Sequence, residues 1–311
     1  MKAMVDYDLI IIGCGPAGMN ACLYATRAGL KTLVIEKNCP GGKVVKANVI
    51  ENWLGIEKTN GVELSLQMFK HAFSYGGVYE QGNVLDVVNK GSYKEVVLKN
   101  KVYKCHAVII ATGTSEKKIG IIGEDKFYGK GVSYCAVCDA SLYKNKPIAV
   151  IGNSQYALEE TLYLSKFASK IYLINEKDAF DADENLIKLV QENKLIEIKF
   201  KSKAIEIKGK EVVDGLVIDY VEGQQVITVA AVFPFLGEEP DTKFINRLNI
   251  LDSKGRIIVN DKKETDTDGI YAAGDCTTTS LKQIITASSD GALSAMTAYK
   301  YIKNKKGRSE D

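Results

Sequence analysis

Two cysteines three positions apart, in Cys135-Ala136-Val137-Cys138-Asp139, are the residues of this chain best suited by type and spacing to do chemistry. At that spacing two sulfurs can close a small disulfide ring, and the pKa of one thiol can be lowered so that it becomes a nucleophile. Such a dithiol exchanges with another disulfide through a mixed-disulfide intermediate. Zinc is the competing use of a C-x-x-C, but a structural zinc site takes about four ligands. The two histidines, His71 and His106, lie in another part of the chain, and there is no second C-x-x-C, so no metal site is assigned. By residue type and place, Asp139 reads as a helix N-cap. Cys14, Cys22, Cys39, Cys105 and Cys276 are scattered. In a reducing compartment they are expected to be small buried or loop residues rather than a disulfide framework.

A second chemical signal opens the chain. Gly13-Cys14-Gly15-Pro16-Ala17-Gly18 fits G-x-G-x-x-G directly after a strand-like run, Asp8–Ile12, and at the start of a helical pattern, Pro16–Ala28. Glycines at those places allow a tight turn and close backbone approach to a pyrophosphate, while the helix N-terminus offers free N–H groups to its charge. Glu36 ends the next apolar run, where a carboxylate can accept hydrogen bonds from ribose hydroxyls. Near the other end, Gly269-Ile270-Tyr271-Ala272-Ala273-Gly274-Asp275 reads as a buried strand closing on Gly-Asp, and a helical segment runs from about Gln283 to Ile302. An Asp in that place can accept hydrogen bonds from the hydroxyls of a flavin side chain, which favours FAD over NAD in the first turn.

These motifs need elements to hold them. Strand-like runs alternate with longer helical patterns, which predicts an α/β fold with parallel sheets. A second strand–turn–helix–strand unit follows the first, at Pro147–Ile151, Gln155–Phe167 and Lys170–Ile174. The expected architecture is two nucleotide-binding, Rossmann-like, three-layer domains, the second inserted into the first. Residues 1–114 and 245–311 form the outer, FAD-binding domain and 115–244 the insert that carries the dithiol. Gly113–Thr114 and the Gly237–Pro240 stretch are the candidate hinges.

A chain of 311 residues suffices for two such domains. No run approaches eighteen apolar residues, so no transmembrane helix is expected. The start of the chain lacks the pattern of a signal peptide, and the expected location is cytoplasmic. A formal net charge of +2 is too small to point to nucleic acid as a partner.

In order, Gly13–Gly18, Gly41-Gly42, Ile50-Glu51-Asn52, Ala111-Thr112-Gly113, Gly131-Val132-Ser133-Tyr134-Cys135 and Ala272–Asp275 resemble the signature of low-molecular-weight flavin thioredoxin reductases, over nearly the whole chain. The resemblance implies an FAD-containing oxidoreductase, a homodimer, whose protein substrate is thioredoxin. It implies FAD contacts from Gly13, Gly15, Pro16, Ala17 and Gly18, from Glu36, Lys37, Gly41, Gly42 and Lys43, and from Asn52 and Val84. It adds Ala111, Thr112, Gly113, Gly274, Asp275, Lys282, Gln283 and Ile284. It also implies that Cys135 and Cys138 are the redox-active pair, that Cys138 lies nearer the flavin, and that Asp139 moves a proton to or from a thiol. Lys43 departs from the family's usual Gln. It either sets a cation near the flavin, which would favour a reduced, anionic form, or points to solvent.

The insert departs further. In NADPH-using relatives it carries a glycine-rich turn and a basic cluster for the 2′-phosphate. Here the turn reads Gly152-Asn153-Ser154-Gln155-Tyr156-Ala157, and Asn175, Glu176, Lys177 and Asp181 occupy the basic positions. Acids in a phosphate site cost affinity. The chain therefore resembles the type of thioredoxin reductase that draws electrons from ferredoxin. NADPH or NADH as donor, and a flavoprotein without disulfide reductase activity, are the alternatives. The flavin-domain segments hold 24 Lys and Arg against 18 Asp and Glu, a net +6, whereas the insert holds 17 against 21, a net −4. A basic flavin domain suits an acidic electron carrier, because complementary fields steer encounter.

Overall fold

The described residues of the computed structural model are 5–47, 50–221 and 223–307, with the backbone alone at Val137, Cys138 and Lys306. The first apolar run forms β1 (Tyr7–Ile12), and its last four residues are all buried. A strand covered on both faces reads as such a continuous run. Pro16 starts α1 (Pro16–Arg27), where its missing N–H costs nothing. There follow β2 (Thr32–Glu36), α2 (Gly61–Phe73), β3 (Val78–Gln81), β4 (Val84–Asn89), β5 (Lys94–Leu98), β6 (Lys101–Ile110) and β7 (Thr114–Glu116). Next come α3 (Ala136–Asp139), β8 (Pro147–Ile151), α4 (Gln155–Leu164), β9 (Lys170–Ile174), α5 (Glu184–Glu192) and β10 (Ile196–Lys199). The chain continues through β11 (Lys203–Gly209), β12 (Val213–Tyr220), β13 (Gly223–Thr228), β14 (Ala231–Pro234), β15 (Glu238–Pro240), β16 (Ile270–Ala272) and α6 (Ile284–Gly307).

The chain divides into two units, residues 1–115 with 239–311, and residues 116–238. Residues 239–244, which the sequence reading gives to the insert, go with the first unit. The reason is packing: Phe244 and Ile245, at this point in the chain, join one of its core clusters.

In the first unit the described strands run β3-β2-β1-β6-β5-β4, with β16 also paired to β6. The pairs around β1, and β16 with β6, are parallel; β4–β5 and β5–β6 are antiparallel. Side chains alternate faces along a strand. Leu9 and Ile11 therefore join Ala21, Ile109 and Ala298 under the helices, whereas Ile10 and Ile12 join Val96, Ile110 and Ile245 on the other side. α6 lies on α1 closely enough that a Cβ on Gly291 would meet the Ala17 carbonyl oxygen at 2.0 Å.

In the second unit, β10-β9-β8-β14 form a parallel sheet and β11-β12-β13 an antiparallel meander. One face of the parallel sheet packs with Leu158, Leu164 and Val190 of α4 and α5. The other shares a core with the meander, through Ile151, Ile174, Leu216 and Ile227. Both units thus carry the α/β, Rossmann-like arrangement expected of the sequence; the meander and the β4–β5 hairpin were not foreseen. Among the described residues no helix is long and apolar enough to cross a membrane.

The α1–α6 contact yields a stability prediction. Replacing Gly291 by Ala drives a methyl into backbone that has no room for it, and such overpacking costs about 1–3 kcal/mol. The thermal midpoint followed by circular dichroism should fall. Gly307→Ala, where an added Cβ meets nothing within 4 Å, should leave it unchanged. Equal midpoints for the two variants would contradict this packing.

Candidate active site

The first candidate centre is built where β1 turns into α1. The backbone of Gly13 has φ 105°, and a Cβ there would meet the Ala111 carbonyl oxygen at 2.3 Å. A Cβ on Gly18 would meet the Gly13 carbonyl oxygen at 1.9 Å, whereas one on Gly15 meets nothing within 4 Å. Two glycines thus seat the turn against the chain, and the middle one faces open space. Gly15 is the N-cap of α1, and no side chain caps it. Pro16 and Ala17 fill the first turn, which holds no acid. The helix therefore keeps N–H groups available to a ligand.

Glu36 organises this turn from the end of β2. Its carboxylate accepts hydrogen bonds from the Cys14 and Asn38 backbone N–H groups, both at 2.8 Å. A carboxylate has about four lone-pair sites, so capacity is left for hydroxyl donors. Glu36, Lys37, Val84, Thr112 and Asp241 line a cavity of about 50 Å³ beside Gly13. Lys37 pairs with Asp241 at its edge. The Thr112 hydroxyl is buried and has no protein hydrogen-bond partner. A buried polar atom normally has one, so this oxygen fits a ligand that brings hydrogen-bonding groups.

Three further segments meet the turn. The Gly41 N–H donates to the Cys14 carbonyl at 2.8 Å, and a 3₁₀ turn, Gly42–Lys46, then brings Lys43 inward. The Lys43 ammonium donates to the Thr114 hydroxyl at 2.7 Å and lies 3.7 Å from an Asp275 carboxylate oxygen. That overturns the option that Lys43 points to solvent. Ala111 leads from β6 through Gly113, whose carbonyl accepts from the Asp241 N–H at 3.1 Å. Gly274 and Asp275 follow β16. Farther out, the Asn52 amide donates to the Gln283 side-chain oxygen at 3.0 Å. Lys282 is exposed beside it, and Ile284, the first residue of α6, packs on the Val44, Ile50 and Leu64 cluster. Every residue that the resemblance implies for FAD lies in the first unit, and the open helix end and the unpartnered hydroxyl fit a dinucleotide.

The Gly274–Asp275 turn has a support that the sequence reading missed. The Asp290 carboxylate accepts from the Gly274 N–H and from the Thr279 hydroxyl, both at 3.2 Å, and pairs with the Lys263 ammonium at 2.7 Å. Asp290 is only 7% exposed. A lone carboxylate among Ala287, Ser288, Ser289, Gly291 and Ala292 was the available signal, because an acid on a small-residue helix face needs a partner.

The dithiol lies in the second unit. Cys135 is held in a disulfide; the side chain of Cys138 lies outside the described residues, and its backbone belongs to α3. Ser133, buried, accepts the Cys135 N–H at 3.1 Å. The Tyr134 hydroxyl bonds the Glu124 carboxylate. Glu124 is 3% exposed and also accepts from the Ile119 and Gly120 N–H groups, at 2.9 and 2.8 Å. Burial, then Glu124, pushes the Tyr134 hydroxyl up, so it stays a neutral donor to that carboxylate. Sequence reasoning missed Glu124 as the anchor of the cysteine turn. Asp139 stands at the N-cap of the next 3₁₀ turn, Ala140–Tyr143, but its side chain makes no cap hydrogen bond. That removes helix capping as its role.

The second glycine turn is built differently from the first. Ser154 caps α4, accepting from the Ala157 N–H at 3.3 Å. The Gln155 N–H donates to the Asp181 carbonyl at 3.0 Å, and the Asp181 N–H to the Asn153 carbonyl at 2.8 Å. The Gln155 side chain takes the Asp183 N–H at 2.9 Å. Residues 175–179 close on themselves through both ends of the Asn175 amide. The Tyr156 hydroxyl is pushed up by burial and then by Glu160, Glu238 and Glu116. Burial, with help from Glu159, raises the Glu160 carboxyl as well. Two N–H groups at the end of α4 are therefore taken by its own chain, while the buried Asn153 amide nitrogen has no protein hydrogen-bond partner. Among the described residues no group of three His, Cys, Asp or Glu could hold a metal ion.

The chain is similar to known proteins over nearly its whole length. The family model described as pyridine nucleotide-disulphide oxidoreductase matches residues 7–291. A thioredoxin reductase of Bacillus subtilis (strain 168) is 40% identical over 300 residues, covering 96% of this chain and 95% of that protein. The solved thioredoxin reductase of Lactococcus lactis (FR conformation) is 35% identical with a TM-score of 0.78, over 96% of this chain and 100% of that one. A solved ferredoxin-flavin thioredoxin reductase from Clostridium acetobutylicum is 34% identical with a TM-score of 0.55, over 96% and 98%.

Thiol reactivity follows from the geometry. Cys14, Cys22, Cys105 and Cys276 are free and buried, and Cys39 is free and exposed. Burial pushes Cys22 and Cys105 up to about 12 and Cys276 to about 11, and raises Cys14 by burial and then by Glu36. Thiolate is the reactive form, so these four stay inert near pH 8. Brief iodoacetamide treatment of the oxidised native protein should add one label, on Cys39, by peptide mass mapping. Labels on the buried four without unfolding would contradict the burial.

Proposed function

The chain belongs to the pyridine nucleotide-disulphide oxidoreductase family and, within it, to the thioredoxin reductases, FAD-dependent disulfide reductases; from that premise we propose that its electrons come from a reduced ferredoxin and leave through Cys135 and Cys138 to the disulfide of thioredoxin. FAD supplies the capacity to collect two electrons from a one-electron carrier and to pass them on as a pair. The open N-terminus of α1, with Glu36, Thr112 and Asp275, is proposed to bind it.

The dithiol does the exchange chemistry. One thiolate of the reduced pair attacks a sulfur of the substrate disulfide, a mixed disulfide forms, and one substrate thiolate departs. The second thiolate then attacks the mixed disulfide, closes the Cys135–Cys138 bond and releases the other substrate thiolate. Two electrons pass to the substrate and none are left over. Asp139, next to the pair and free of a capping role, is proposed to carry the proton to and from a thiol. Ser133 and the Tyr134–Glu124 pair hold the turn in place for the attack.

The observation that carries the donor assignment is the closed N-terminus of α4. A pyrophosphate there would have to displace the Asp181 carbonyl from the Gln155 N–H and the Ser154 cap from Ala157. In that first turn burial, then Glu160, Glu238 and Glu116, push the Tyr156 hydroxyl up. The net +5 of the first unit, 25 Lys and Arg against 20 Asp and Glu, supports an acidic protein donor, as does the similarity to a ferredoxin-flavin relative. The description of the matched family, which names a pyridine nucleotide, favours a second reading with NADPH or NADH as donor.

Anaerobic stopped-flow spectra separate the two. Reduced ferredoxin should bleach the flavin rapidly, NADPH and NADH slowly or not at all. The ferredoxin rate should fall as salt rises, because surface charges are screened beyond about 10 Å at 0.1 M. Rapid bleaching by micromolar NADPH would reverse the assignment. Cys135→Ser should keep FAD and lose thioredoxin reduction; full activity in that variant would reject the dithiol.

A further inference from the structure

Lys43 sits at the junction of the segments proposed to hold the flavin. The backbone just before it is tied to the first turn, through Gly41 N–H to the Cys14 carbonyl. Its ammonium reaches Thr114, just past Ala111-Thr112-Gly113, and approaches Asp275. Its side chain is 34% exposed. The pair with Asp275 is long and partly exposed, so it does not lock the ammonium in one place. A negative charge arriving nearby competes for it on even terms.

We propose that Lys43 sets the protonation state of the reduced flavin: its positive charge holds the two-electron-reduced cofactor as the anion, so that reduction takes up two electrons and one proton at neutral pH. This rests on the reading that Gly41–Lys43, Thr112–Thr114 and Asp275 surround FAD. A cation within a few ångströms favours the charged form of an acid and lowers its pKa, and the ring proton of reduced flavin is an acid of near-neutral strength. The balance then constrains the dithiol. Reducing a disulfide to two thiols consumes two electrons and two protons. An anionic reduced flavin would supply both electrons and one proton, which leaves the second proton to an acid at the disulfide. Asp139, next to Cys138 in the chain and without a capping bond, is the proposed relay.

Lys43→Gln is the direct test, with Lys43→Met as a second neutral variant and Lys43→Arg as the charge-retaining one. Each protein is loaded with FAD and reduced anaerobically, and its absorbance is titrated between about pH 6 and pH 8. In the unaltered protein and in K43R the reduced flavin should stay anionic over this range. In K43Q and K43M its proton affinity should rise at least tenfold, about one pH unit, and the potential should change twice as steeply with pH. Yellow neutral variants that titrate like the unaltered protein would overturn the role of Lys43 and leave the FAD site standing. Loss of FAD in both neutral variants but not in K43R would also overturn it, making Lys43 an anchor rather than a tuning residue. A correctly folded unaltered protein that takes up no FAD would sink the flavin reading and this inference together.

Discussion

The first unit depends on a backbone contact that leaves no space for side chains. Gly13 touches the Ala111 carbonyl, Gly18 touches the Gly13 carbonyl, and Gly291 of α6 touches the Ala17 carbonyl. These contacts run from β6 through the β1–α1 turn to α6. They fix α1 so that its N-terminus looks into the open space at Gly15. Glu36 secures the same turn from the other side by taking the Cys14 N–H. A methyl at Gly13, Gly18 or Gly291 forces backbone to move, and the phosphate-binding geometry moves with it.

The two units make opposite use of the same topology. Both place a helix N-terminus at the end of an inner strand with parallel neighbours, where the free N–H groups and the helix dipole favour an anion. In α1 no side chain takes those groups. In α4 Ser154 and the Asp181 carbonyl take two of them. The difference needs no change of fold, only different residues at the turn and a loop after β9 folded over it.

Much of this was legible in the sequence where burial leaves a one-dimensional trace. Pro147–Ile151 and Lys170–Ile174 coincide with β8 and β9, and Asp8–Ile12 misses β1 by one residue, because strands covered on both faces are unbroken apolar runs bounded by turn residues. The β4–β5 hairpin left a weaker trace. Its strands are short and mixed, and one of them buries Lys94 completely, a residue that reads as surface. The supporting acids were hidden for a different reason. Asp290 finds Lys263 twenty-seven positions away, and Glu124 finds Tyr134 ten positions away across a loop. Such partners are set by the folded chain, not by spacing. Lys43 was visible as an unusual residue, but its direction was not, since only the path of the Gly41-Gly42 turn decides it.

The N-terminus of α1 is left open to a dinucleotide, whereas that of α4 is taken up by its own residues. Calorimetric titration of the FAD-loaded protein with 2′,5′-ADP, which carries the phosphates of NADPH without its redox chemistry, tests that most directly. The account predicts one FAD per chain and no saturable binding of 2′,5′-ADP up to about 1 mM, a limit near −4 kcal/mol. Saturable micromolar binding, weakened by substitution at Ser154 or Tyr156, would show that the end of α4 opens to a nucleotide and would contradict it.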